Sequence, residues 1–80
     1  MNEPPAYPKS ARNAGKTASV TLKVRITAGG RVEEVEVVDG EEPFVSAAIE
    51  AVKKWRYEPA RYNGKPISVH RVIKIGFELS

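Results

Sequence analysis

The stretch Ala14-Gly15-Lys16-Thr17 ends in the manner of a phosphate-binding loop, whose chemistry would be nucleotide binding through backbone amides and a lysine. Such a loop needs another glycine five positions earlier, a strand ahead of it and a helix behind. Ser10 stands at that glycine position and a strand pattern follows, so nucleotide binding is rejected. His70 is the single histidine and cysteine is absent, which leaves no metal cluster to assemble. No serine or threonine has an evident base and orienting acid, and the glutamates stand in a solvated block. The sequence therefore offers no catalytic, cofactor-binding or metal constellation. Arg56, Tyr57, Arg61, Tyr62 and Lys65 interleave aromatic rings with positive charge, which makes nucleic-acid binding a rival reading for a chain of net charge +3. Against it, RNA-binding signatures are missing and an acidic segment would repel phosphates.

The charge is segregated along the chain. Residues 31–42 hold six acidic residues against Arg31 alone, and residues 53–74 hold seven lysines and arginines against Glu58 alone. Neighbouring segments in one sheet would cancel this charge; separated segments would make the domain a dipole able to steer a partner. At 80 residues the chain is one small domain with a thin core, a size that disfavours an enclosed enzyme cleft. Without cysteine it has no disulfide and is compatible with an oxidising compartment. No apolar run approaches the roughly 18 residues that span a bilayer, and no signal-peptide core is present. The start, Met-Asn-Glu-Pro-Pro, reads as a cut from something longer behind an added or fortuitous methionine.

The elements that must position these groups follow from periodicity. Three prolines in residues 2–8 predict the end of a proline-rich linker, with the domain over residues 9–80. Tyr7 to Lys16 is weakly helical. Val20, Leu22, Val24 and Ile26 alternate with polar residues, predicting a half-buried strand over 19–27. Gly29-Gly30 then turns the chain toward Val35 and Val37, a hairpin in which Val32 has the wrong parity and points to a bulge or late pairing. Phe44, Ala48, Ala51, Val52 and Trp55 form one stripe of a helix expected over 43–55, with Pro43 in its first turn. Asn63-Gly64 is a strong turn signal. From Ile67 to Leu79 the odd positions are apolar except Arg71, predicting a thirteen-residue strand longer than the first strand can cover. The fold class is α+β: a three-stranded antiparallel sheet with helices packed on one face. One edge of that sheet belongs to the last strand and is a template for another extended chain.

Between helix and last strand lies Trp55-Arg56-Tyr57-Glu58-Pro59, where Pro59 forces extended geometry on its neighbour and two rings sit at the seam. With Tyr7-Pro8, Ala11-Arg12, Gly30-Arg31-Val32, Val35-Val37-Val38, Ala47-Ala48, Ala51-Val52 and Gly64-Lys65-Pro66, it resembles the C-terminal domain of TonB-type energy transducers. The likeness spans Tyr7 to Leu79. One departure is Ala18, where the family usually has glycine before the first strand; Lys9, Ser10 and Asn13 need not reproduce any member's contacts. The resemblance implies a periplasmic domain of a protein anchored in the inner membrane and driven by an ExbB–ExbD-like motor. It also implies binding to TonB-dependent outer-membrane receptors that import iron chelates and cobalamin, through the receptor's N-terminal box peptide, which adds as a strand. On that reading Ser68, Val69, His70, Arg71, Val72, Ile73 and Lys74 supply the docking edge. Tyr7, Pro8 and Arg12 would touch the receptor plug. No cofactor or nucleic acid is expected. The alternative is an envelope-associated peptidoglycan- or protein-binding module of the same fold, and an exposed edge also allows a strand-exchanged homodimer.

Overall fold

A computed structural model describes residues 2–79, so Met1 and Ser80, with the readings that touch them, lie outside the described residues. The chain runs α1 (Lys9–Asn13), β1 (Ala18–Ile26), β2 (Val32–Asp39), α2 (Phe44–Val52), β3 (Ala60–Tyr62), β4 (Lys65–Ile67) and β5 (Val69–Phe77). Three strands form an antiparallel sheet in the order β2-β1-β5, and β3 with β4 forms a separate hairpin. The α+β architecture expected from the sequence is the one observed.

β1 is central because its apolar face is the most complete. Val20, Leu22, Val24 and Ile26 are buried against Phe44, Ala48 and Val52 of α2, Ala11 of α1, and Ile75 and Phe77 of β5. Each of these large side chains contributes about 1.5–3 kcal/mol on burial. A one-residue slip would exchange them for Thr21, Lys23 and Arg25, so the register is tightly specified. The β1–β2 pair nevertheless carries two irregularities. Lys23 faces Glu36 and Arg25 faces Glu33, so Glu34 and Val35 together oppose Val24; a second shift separates Thr21 from Leu22. Glu34 has φ +52°, the bulge that brings Val32 into the core despite its parity.

α2 is shorter than the apolar stripe predicts. It ends at Val52, and the next amides make tighter bonds, Lys54 N–H to the Ala51 carbonyl and Trp55 N–H to that of Val52, both 3.0 Å. Trp55 thus leaves the helix before Pro59 acts, and Pro43 is the N-cap residue rather than part of the first turn. The carboxylate of Glu42 caps the helix start, accepting from the Ser46 amide at 2.8 Å and from its hydroxyl.

The thirteen-residue strand is not found. Ser68 breaks it, leaving β4 to pair with β3 and β5 to match β1 residue for residue, from Val69 opposite Ile26 to Phe77 opposite Ala18. The alternation continued through Ser68, but Asn63-Gly64 gave the first part a nearer partner. Both turn residues have positive φ, as a two-residue hairpin turn requires.

Candidate functional site

β5 is bonded to β1 along one side, and no described strand pairs with the other. It is regular over nine residues, with neither a bulge nor a positive φ. The opposite edge, β2, is interrupted by two register shifts and carries Glu33, Glu34, Glu36 and Asp39. Bulges and charge are devices that make an edge unfit for pairing. The sheet accordingly has one receptive edge and one guarded edge.

Side chains of β5 divide by parity. Val69, Ile73, Ile75 and Phe77 turn toward the core and become more buried toward Phe77. His70, Val72, Lys74 and Gly76 lie on the exposed face, and Val72 leaves 62 % of its surface in water. Arg71 shares the core-side parity, opposite Val24, yet is exposed because its guanidinium lies over the Tyr57 ring, 5.5 Å from the centroid. The charged residue in the apolar row thus makes a cation–π cap, and the strand neither projects nor bends there. Ser68, expected within the docking strand, lies in the break between β4 and β5.

The pentapeptide holds this edge in place. Tyr57 N–H donates to the Gly30 carbonyl at 2.8 Å, and Arg31 bridges Arg56. Gly30 is buried with φ +83°, and a Cβ there would collide with the Tyr57 carbonyl. Only glycine lets the β1–β2 turn approach so closely. Trp55 packs on Tyr57 at 6.5 Å between centroids, and Tyr57 lies beneath Arg71. A stack of side chains therefore connects the end of α2 to β5.

The N-terminal residues are bound to the same structure. The Trp55 indole N–H donates to the Glu3 carbonyl at 2.6 Å, and the Arg56 amide donates to Asn2 Oδ1 at 2.8 Å. Between residues 3–8 and α2 remains a groove of about 610 Å³. Tyr7 packs edge-on against Phe44 and Phe77, donates its hydroxyl proton to the Lys16 carbonyl, and carries Arg12 at 6.0 Å from its ring centre. Of the expected receptor contacts, Tyr7 and Pro8 are half-buried and Arg12 is exposed. They sit beyond the Phe77 end of β5, and the hydrogen bonds to Asn2 and Glu3 escape a reading based on residue types.

The interleaved aromatic and basic residues do not form one platform. Tyr57 is covered by Arg71, and Arg61 donates to the Gly64 carbonyl at 3.3 Å. Tyr62 alone stands out, with 68 % of its surface exposed. The acidic segment lies on and around β2, whereas the basic one is spread over the end of α2, the β3–β4 hairpin and β5, where Arg71 and Lys74 stand two strands from β2. Arg25 of β1 bridges to Glu33 at 3.3 Å and Glu34 at 3.5 Å. Among the described residues no acidic or histidine cluster has metal-binding spacing, and no helix is long and apolar enough to cross a membrane.

Comparison with known proteins agrees with this geometry. The protein tonB2 of Pseudomonas aeruginosa is 33 % identical over 81 residues, covering 99 % of this chain and 30 % of that protein. The TonB protein of Vibrio cholerae is 32 % identical over 78 residues, covering 94 % and 32 %. The chain thus spans about a third of the length of these curated relatives. The solution NMR structure of the Pseudomonas aeruginosa TonB CTD superposes with a TM-score of 0.85 at 27 % identity, covering 99 % of this chain and 82 % of that one. A family profile described as Gram-negative bacterial TonB protein C-terminal matches residues 3–79. The chain belongs to that family.

Proposed function

We propose that this domain docks an outer-membrane receptor by accepting the receptor's N-terminal box peptide as a fourth strand along β5. The observation that carries the reading is the contrast between the sheet edges: β5 is regular and unpaired, β2 bulged and acidic. An added strand would bond to the β5 backbone, while side chains set register more than strength. Tyr7, Pro8 and Arg12 would make a secondary contact with the receptor plug near the Phe77 end. The domain works as a non-enzymatic coupling module of a TonB-type transducer, in the periplasm. An ExbB–ExbD-like motor would act through a membrane-anchored part outside residues 1–80. Cargo would be iron chelates, cobalamin or similar nutrients.

The test is an NMR titration of the domain with a receptor box peptide. Amide shifts should concentrate on residues 69–77, and shifts confined elsewhere would refute the docking assignment. Analytical ultracentrifugation in parallel separates peptide docking from a strand-exchanged homodimer, since peptide should displace a second copy from β5.

A further inference from the structure

We infer that the β5 edge selects an extended peptide bearing a carboxylate on the open face beside Lys74, with apolar side chains directed to the other face. This rests on the strand-addition reading and names the peptide chemistry that backbone pairing leaves undetermined.

Residues of an added strand point alternately to the two faces of the sheet. On the open face their nearest neighbours would be His70, Val72 and Lys74, with Arg25, Lys23 and Thr21 of β1 behind them in register. Among the described residues only Arg25 is ion-paired, with Glu33 and Glu34; Lys74 and Lys23 have no carboxylate within bridging distance. Lys74 is the free cation on the strand that would touch the peptide. The acidic residues of β2 are three strand spacings from an added strand, roughly 14 Å at about 4.8 Å each. That exceeds a Debye length of about 8 Å at physiological salt, so their repulsion is screened while Lys74 is adjacent. A negative side chain is favoured there despite the acidic β2.

The other face asks for the opposite chemistry. α2 packs on β1 and β2, and Ile73 of β5 remains only half-buried. Arg71 on that face is already engaged by Tyr57. An apolar side chain beside Ile73 would remove its remaining surface from water. Carboxylate outside and aliphatic inside is therefore the pattern this edge fits.

The test uses three synthetic heptapeptides in which valine alternates with glutamate, glutamine or lysine, titrated by calorimetry and NMR at about 0.1 M salt. The glutamate peptide should bind tightest, with the glutamate-to-glutamine change beside Lys74 weakening affinity about 1.5- to 5-fold, the range for a cross-strand charge pair. The Lys74→Glu variant should reverse the order and favour the lysine peptide. Equal affinities, with shifts still on residues 69–77, would overturn the charge selection and leave strand addition standing. Shifts from the glutamate peptide centred on Arg61 and Lys65 would also overturn it. If no peptide moves residues 69–77, the docking reading itself fails.

Discussion

Tyr7 and Phe77, seventy positions apart, meet edge to face with ring centres 5.7 Å apart and planes at 81°. The N-terminal segment is thereby fastened directly to the end of β5, and Phe44 completes the cluster at 5.1 Å from Phe77. A pull at residue 2 would meet the hydrogen bonds of Asn2 and Glu3 to Arg56 and Trp55 first, and this contact with β5 next.

Tyr7→Ala should therefore destabilise the domain by about 2–4 kcal/mol, somewhat less than the roughly 3–5 kcal/mol for a fully buried aromatic because Tyr7 is half-buried. Tyr7→Phe keeps the rings and loses only the bond to the Lys16 carbonyl, at about 0.5–1.5 kcal/mol. Urea denaturation of both variants measures the difference, and equal losses would contradict the packing account.

Trp55→Phe removes the donor to Glu3 but leaves an aromatic ring on Tyr57. The segment over the groove should then loosen, read as lower NMR order parameters at Glu3 and Ala6, which flank Pro4-Pro5, with a stability loss of about 1 kcal/mol. Trp55→Ala should damage folding first and peptide binding only as a result. A Trp55→Ala domain that stays fully folded yet loses its peptide would contradict this division.

Gly30→Ala meets both a left-handed backbone, which costs about 1–2 kcal/mol for other residues, and the Tyr57 carbonyl. A total loss of about 2–4 kcal/mol is expected in thermal or urea unfolding. Amide shifts should spread to Tyr57 and Arg71, because the carbonyl can retreat only by moving the pentapeptide.

Hydrogen bonds from the Ser46 hydroxyl and then its amide hold the Glu42 pKa below the usual carboxylate value. A lowered folded pKa adds stability above the unfolded value of about 4.3, and that stability is lost as pH falls through the folded pKa. The melting-temperature difference between the natural chain and Glu42→Gln should be steady from pH 6 to 8. Below about pH 4.3 it should shrink toward zero.

Proline separates docking from folding on β5. Neighbouring residues of a strand direct their amides to opposite sides, so Arg71→Pro and Val72→Pro cannot have the same effect. One removes a bond to β1 and should unfold the domain. Its neighbour should leave circular dichroism nearly unchanged and abolish peptide shifts on β5.

The sheet was legible because its signal is strong and local. The alternation of Val20 to Ile26, and of Ile73 to Phe77, admits one register. Val32 announced the bulge through its parity, although nothing in the sequence indicated that Glu34 would take the left-handed conformation. The hairpin Ala60–Ile67 was read only as a turn, because Ile67 continues the parity of β5 and Ser68 is no strong breaker. The Arg71 cap was hidden for another reason. A charged residue in an apolar row suggests exposure, and its partner Tyr57 is fourteen positions earlier. That the last strand would be an edge was foreseen from strand count, but which edge is guarded depends on bulges that appear only in three dimensions.

The bulges of β2 also limit how far the domain can associate with itself. Two copies joined through β5 would form a closed, twofold pair with both outer edges bulged, where growth would stop. A flat β2 would have let copies stack head to tail without end, the geometry of a fibre. One unguarded edge suits a domain that takes a single added strand, and it works against growth into a fibre.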